Sequence, residues 1–576
     1  MVLPLQGWVT LRHYSLRWLP QDCLAGLTVA AYLVPQCMAY GELAGVGPAV
    51  GLWTILPALF VYFWLGSSPQ VSVGPESTTA IMTAATVGTL VRTYGGSYPT
   101  VAALLACLVG VVCLIAYLAR LGFLADLLSR PILIGYMTGV ALIMVVGQLG
   151  KVSGIAIESD SILGQMLEFL GHFSQIHPPT LVLSLCLLAF LFGMQAFFPS
   201  LPGPLLAVLL ATLVVWLGNL EGQGIAVVGA IPVGFPQPQL PLVSRAETLQ
   251  VLAAAIGIAI VAYSDNVLTA RAFATRNRYT IDPGQELLAL GMANLATGLM
   301  QGFPVSSSAS RATIGDSLGS KTQVYSLVAW GVVGLVLLWL RPLLALFPKA
   351  ALGALVIYAA TRLIDLGEFR RLKQFRWNDF ALAILTTLGV LATSLLVGVA
   401  IAVALSVIEL LARVARPHDA VMGKVPGLAG LHDISDWPGA TTIPGLVLYR
   451  YDAPLFFANV EDFKRRALGA IDEETDPVHW FVLNAEAIVE IDITAADMLA
   501  DLYDELTARG ITMGMARVKQ DLYMQLERSG LLNQLGDHIY FTLPTAIEAF
   551  LKSRDGNGNP LDSSQASWRN SVQESG

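Results

Sequence analysis

Up to about residue 415 the chain consists of long apolar runs separated by short polar stretches, and beyond that point it reads like an ordinary soluble domain. A helix needs roughly 20 apolar residues to cross a hydrocarbon core of about 30 Å. Backbone inside hydrocarbon must satisfy its own hydrogen bonds, so runs of this kind can only be accommodated as a helical bundle. About fourteen segments qualify, with approximate limits 24–41, 49–66, 75–90, 99–119, 130–149, 180–198, 203–219, 249–271, 284–301, 307–319, 323–341, 349–364, 379–395 and 396–413. Only 13% of the residues are charged, against about a quarter in soluble proteins. The expected partner of this surface is a lipid bilayer.

Loop charge sets the orientation. With a cytoplasmic N-terminus and an even number of crossings, three clusters fall inside: Arg120 with Arg130, Arg271 with Arg276 and Arg278, and Arg362 through Arg376. The opposite loops hold only scattered Arg92, Lys151, Arg245, Arg341 and Lys349. Basic residues collect in cytoplasmic loops, so both termini are expected in the cytoplasm, in a bacterial inner (plasma) membrane. Arg12, His13 and Arg17 precede the first apolar run, but that run contains Pro35, Gln36 and Glu42 and no small-residue cleavage site, which argues against a removable signal peptide.

Several function classes drop out. The net charge is -8, with acidic residues gathered in the C-terminal third, so nucleic-acid binding has no support. The five cysteines, Cys23, Cys37, Cys107, Cys113 and Cys186, lack CxxC spacing and a histidine cluster, and read as small apolar side chains. No GxxxxGK[ST] or HExxH motif occurs, which removes the main support for ATP-driven or zinc-dependent hydrolytic chemistry. Neither an enzyme nor a cofactor is expected.

Two apolar segments are interrupted in the same way. In "GSSPQVSVGPESTTAIMTAA" the alternation of Val71, Ser72 and Val73 gives way at Pro75 to a helical pattern, and proline suits the first turn of a helix. In "LMQGFPVSSSASRATIGDSLGS" Pro304 and Ser306, Ser307 and Ser308 lead into a short helix carrying Arg311. Extended backbone at membrane depth is tolerated only beside protein or a water-filled cavity, and paired interruptions point to a transport site. Two half-helix N-termini meeting near the midplane would offer free N–H groups and roughly half a positive charge each. A buried Arg311 adds a charge that costs about 2.5–3.5 kcal/mol to insert even on the mildest scales. Such a site suits an anion.

These motifs, together with "DCLAGLTVAAYLVPQCMAYGELAG" and "VIYAATRLIDLGEFRRL", resemble the sulfate permease (SulP) family in family order over nearly the whole chain. The resemblance implies an α-helical polytopic domain of two inverted repeats of seven segments, split into core and gate, followed by a small α/β STAS domain. It also implies a homodimer and elevator-like transport of a small inorganic anion. Gln36 and Tyr40 match residues lining the family's anion site, and Ser310 and Arg311 its Ser-Arg pair. Pro75, Glu76 and Ser77 of the first interruption and Ser308 of the second complete the candidate set. Asp265, in "AIVAYSDNVLTARAF", matches an acidic coupling position; a fixed ion pair with Arg311 is the structural alternative.

Charge counting supports a specific expectation. Two helix ends and Arg311 supply about two positive charges, and an ionised Asp265 removes one. Protonating Asp265 suits a divalent anion, so proton-coupled sulfate uptake is expected, with bicarbonate or dicarboxylate transport, exchange or a channel as alternatives. The expected domains are 1–23, a cytoplasmic segment; 24–415, the transport domain; 416–440, a linker; 441–553, the STAS domain; and 554–576, a disordered polar tail. Alternating strand and helix signals from "GLVLYRYDA" to "KQDLYMQLERSG" carry the STAS reading. In anti-sigma-factor antagonists of that class a phosphorylatable serine follows the aspartate corresponding to Asp492; here Ile493 follows, which argues against that switch and leaves Thr494 as the alternative acceptor, while the favoured reading has Asp492 and Thr494 cap the helix.

Overall fold

Prolines start many of the membrane helices. A proline at the first turn forgoes an N–H that would have no partner there. This holds for α1 (Leu19–Leu43), α2 (Pro48–Leu65), α4 (Tyr98–Leu118), α5 (Arg130–Ser153), α6 (Pro178–Phe197), α7 (Gly203–Leu217) and α9 (Pro283–Leu299). The remaining segments are β1 (Val73–Gly74) with α3 (Ser77–Tyr94), α8 (Arg245–Asn277), β2 (Ser306–Ser307) with α10 (Ala309–Ser317), α11 (Val324–Trp339), α12 (Lys349–Thr361), α13 (Trp377–Ala392) and α14 (Leu395–Ala415). The structure is a computed structural model and describes residues 6–94, 96–122, 129–157, 159, 162–198, 201–232, 234–241, 245–393, 395–437 and 439–555. Apart from residues 554 and 555, the expected disordered tail lies outside the described residues.

Each half runs helix, helix, short strand with half-helix, then four helices, and their packing partners interchange when seven is added to the helix number. α1 packs on α11 as α8 packs on α4; α6 packs on α12 as α13 packs on α5; α1 meets α10 as α8 meets α3. α2 with α9, and α5 with α12, pair across the same axis. Because seven crossings return the chain to the opposite side, the second half is inverted relative to the first. Helices α1–α4 and α8–α11 form one group, and α5–α7 and α12–α14 the other. α1 joins the groups by packing on α7 and α12.

Small residues permit close helix contacts where water does not drive association. A Cβ on Gly51 would lie 1.9 Å from the Cys37 carbonyl oxygen, so α1 and α2 could not approach as they do with any larger residue. Leu24 and Leu27 on α1, Val182 and Leu185 on α6, and Leu385 and Leu388 on α13 are exposed, forming the lipid-facing surface.

Polar ties fix the interior. Glu286 on α9 is fully buried. It accepts hydrogen bonds from the Tyr62 hydroxyl at 2.9 Å, the Ser67 N–H at 2.9 Å and hydroxyl at 2.7 Å, and the Asn266 amide at 2.7 Å. One carboxylate thus joins α2, the turn after it, α8 and α9. Asp22, in the first turn of α1, accepts from the Lys321 N–H at 2.8 Å and the Thr322 hydroxyl at 2.8 Å, holding the turn before α11.

The chain divides into two compact units between Ser406 and Val407. In the second, six strands lie in the order β4-β3-β5-β6-β7-β8: β3 (Asp419–Gly423), β4 (His432–Asp433), β5 (Leu446–Tyr451), β6 (Trp480–Asn484), β7 (Thr512–Ala516) and β8 (Ile539–Tyr540). The pairs β5–β6, β6–β7 and β7–β8 are parallel, and β3 is antiparallel to both β4 and β5. Helices α15 (Val460–Asp472), α16 (Ile493–Ala508) and α17 (Gln520–Ser529) cover one face through Phe463, Leu499 and Leu522, while α18 (Leu543–Asp555) covers the other through Ile547 and Phe550. The stretch 416–440 therefore is not a plain linker: it supplies β3 and β4. Asp492 caps α16, accepting from the Ala495 N–H at 2.8 Å, and also binds the Phe457 N–H at 2.9 Å.

Glu286→Ala leaves Tyr62, Ser67 and Asn266 without their acceptor, and each orphaned buried donor costs about 1–3 kcal/mol. The detergent-solubilised variant is expected to melt well below wild type by tryptophan fluorescence, with Glu286→Gln intermediate. Equal melting of all three would contradict this role.

Candidate anion-binding site

The two interrupted segments meet. β1 and β2 pair antiparallel, Val73 opposite Ser307 and Gly74 opposite Ser306, and the Ser308 N–H donates to the Ser72 carbonyl at 3.0 Å. Two residues of strand cannot satisfy an extended stretch alone, so side chains complete the accounting. Asn294 of α9 receives the Val305 N–H at 2.9 Å and donates to the Val305 carbonyl at 3.0 Å. Gln323 donates to the Ser68 and Val71 carbonyls at 2.7 and 2.8 Å, and the Tyr325 hydroxyl to the Gln70 carbonyl at 2.7 Å.

Arg311 is fully buried. Its guanidinium donates to the Pro75 carbonyl at 2.8 Å, to Gln36 Oε1 at 3.3 Å, to Ser72 Oγ at 3.3 Å and to the Ser72 carbonyl at 3.5 Å. Starting on the second half-helix, it reaches across to the first interruption and to α1. The planar fork of arginine suits several fixed acceptors at once. All these acceptors are neutral. Asp265 does not pair with Arg311; it accepts from the Ser306 hydroxyl at 3.4 Å, and that hydroxyl also contacts the Ala262 carbonyl at 2.9 Å. The expected alternative of a fixed ion pair is therefore not formed.

Gln36 Nε2 donates to the Tyr40 hydroxyl at 3.0 Å, so these α1 residues and Arg311 form one chain of hydrogen bonds. Glu76 is turned onto its own helix: it accepts from the Thr78 N–H and the Ser77 hydroxyl, both at 2.6 Å. Ser308 precedes α10, and its hydroxyl lies 3.1 Å from that of Ser310. Ser77 and Ser308 are buried, whereas Ala309 is exposed and Ser310 half-buried, so the start of α10 is the more open of the two half-helix ends. Beside Gln36 and Tyr40 lies a void of only about 10 Å³, walled by Tyr32 of α1, Pro204 of α7 and Leu355 and Tyr358 of α12. This conformation is closed around the α1 side of the site.

Nothing in the sequence pattern marks Ser72, Asn294, Gln323 or Glu286 as parts of this frame. Their signal is polarity within apolar segments, which is shared by many residues with no such task.

Residues 19–386 match the sulfate permease family, and residues 438–546 the STAS domain. The chain belongs to the sulfate permease family. A protein named as a probable sulfate transporter in Mycobacterium tuberculosis is 53% identical over 545 residues, covering 94% of this chain and 97% of that one. The chloroplastic sulfate transporter 4.1 of Arabidopsis thaliana is 30% identical over 560 residues, covering 94% and 81%. The murine anion transporter Slc26a9, solved in the inward-facing state, superposes with a TM-score of 0.86 at 24% identity, covering 95% of this chain and 94% of that one. The transmembrane domain of the cyanobacterial bicarbonate transporter BicA gives 0.61 at 22%, covering 68% and 97%. At such identities these two likenesses establish the fold. Like other sulfate permease family members, this chain is an integral membrane protein with a C-terminal STAS domain, and the family and its named relatives are transporters and not enzymes.

Asn294→Ala would free both polar groups of Val305 inside the frame. An unsatisfied buried group costs about 1–3 kcal/mol, so the variant is expected to melt lower than wild type in detergent. Asn294→Asp, which can still accept from the Val305 N–H, should recover part of the loss.

Proposed function

We propose that this chain is a secondary active transporter that takes up sulfate together with protons, by movement of the α1–α4 and α8–α11 group against the other. The observation that carries the reading is Arg311, a buried cation bonded only to neutral groups where two half-helices meet. A charge so placed is left to be balanced by a ligand. Sulfate is favoured over bicarbonate because the relatives that cover nearly the whole chain are named as sulfate transporters.

Glu76 alters the charge sum expected from the sequence. Two half-helix ends supply about one positive charge and Arg311 another; ionised Glu76 and Asp265 would cancel both. Protonation of Asp265 restores a net positive site, which links anion binding to a proton. Glu76 already fills the start of α3, so the anion seats on the open start of α10, beside Ser308 and Ser310, with Gln36 and Tyr40 approaching from α1. The void beside these two is too small for a tetrahedral oxyanion, so substrate contact with α1 requires α1 to part from α12. The bias of basic residues to one set of loops supports a bacterial inner membrane with both termini in the cytoplasm, and a homodimer completes the reading.

Uptake of labelled sulfate into proteoliposomes tests this. An inward proton gradient is expected to drive accumulation without sodium; a strict sodium requirement, or equilibration without accumulation, would overturn the coupling. Asp265→Asn is expected to keep sulfate counterflow and lose the response to the gradient. Arg311→Lys keeps the charge but not the fork, and should raise the apparent KM about tenfold, equivalent to roughly 1.4 kcal/mol.

A further inference from the structure

A second cluster of positive groups lies away from the Arg311 frame. Lys151, near the end of α5, and Lys349, the first residue of α12, line one cavity of about 320 Å³, together with Gln165, Thr180, Gly150 and Ala350. A water occupies about 30 Å³ of liquid, so the space admits a small anion with part of its hydration shell. Thr180 and Ala350 belong to the first turns of α6 and α12. Pro178, Pro179 and Pro348 have no N–H, so each helix turns toward the cavity its partly positive end with one N–H lacking a helical acceptor, that of Thr180 on α6 and that of Ala350 on α12. The Lys349 backbone is fixed by its N–H donating to the Ala226 carbonyl at 2.9 Å, which anchors the start of α12.

The charges do not cancel. Lys151 pairs with Glu42 at 3.4 Å. Among the described residues Lys349 has no carboxylate partner. Two ammonium groups and two helix starts, each worth about half a charge, exceed one carboxylate and the opposing carbonyl end of α5. Glu42 lies six residues after Gln36 on α1, a rise of about 9 Å, so the same helix holds the partner of Lys151 and a member of the Arg311 frame.

We infer that the cavity between Lys151 and Lys349 is a second binding site for a small divalent oxyanion, a capture site set about two helical turns along α1 from the Arg311 frame. An anion there binds Lys349 directly and competes with Glu42 for Lys151. Glu42 serves as the counter-charge when the site is empty. That this end faces the outside rests on the orientation proposed above; the binding itself does not.

Equilibrium dialysis of the purified full-length protein with radiolabelled sulfate tests the site. Wild type is expected to bind two sulfates per chain, Lys349→Gln one, Arg311→Ala one, and the double variant none, with Lys349→Arg back at two. A wild-type count of one that Arg311→Ala abolishes, or a count of two in Lys349→Gln, overturns the second site. If Lys349→Gln lowers the count while Arg311→Ala leaves it at two, the cavity site stands and the central site falls. Melting temperatures of each variant separate lost binding from lost folding.

Discussion

Arg311 keeps a full positive charge inside the protein by bonding to the Pro75 and Ser72 carbonyls, the Gln36 amide and the Ser72 hydroxyl. Those acceptors come from the far half of the chain, so the guanidinium can be accommodated only if the two interrupted segments come together. The dependence runs both ways. The antiparallel pair of β1 and β2 leaves most of the extended backbone to be satisfied by side chains, and Arg311 of α10, Asn294 of α9 and Gln323, the residue before α11, meet that need. The site is thus a frame of mutually supporting hydrogen bonds, in which no strand or half-helix is stable alone.

Such a frame has a preferred occupant. Neutral acceptors relieve the desolvation of Arg311 without neutralising it, and the carboxylate nearest in sequence to the first half-helix, Glu76, is committed to the Thr78 N–H and the Ser77 hydroxyl. Glu76 thereby occupies the start of one half-helix, leaving that of the other open. The asymmetry between two otherwise matching half-helices comes from one side chain.

The architecture was legible in the sequence because its determinants are long and repetitive. Fourteen apolar segments and two proline-led interruptions survive local ambiguity, and the strand-helix alternation after residue 441 marks most of the C-terminal sheet. β3 and β4 escape that reading because each is short, and β3 pairs with β5 only beyond an intervening polar loop, with β4 added on the outer edge of β3. In the site, Arg311, Gln36 and Asp265 stand out because charge or amide in an apolar run demands a reason. Whether Arg311 pairs with Asp265 or with carbonyls depends on a few ångströms of helix placement, which no spacing in the chain encodes. Glu286 acts largely through Tyr62 and Ser67, more than 200 residues away in sequence, and Asn294 through the backbone of Val305 in the extended stretch; their roles become visible only once those partners are in place.

Among the described residues the exchange of packing partners by seven is incomplete. α1 packs on α12, whereas among the described residues its counterpart, α8 on α5, is not comparably packed. Two halves with equivalent roles need not occupy them at the same time. If the halves exchange these roles, the partner arrangement is reached by letting α8 close on α5 while α1 leaves α12, with each half taking over the conformation of the other. Such an interchange reuses contacts of kinds the molecule already makes, so the two members of the pair would be nearly equal in free energy, and a change in site occupancy worth only a few kcal/mol would be enough to choose between them.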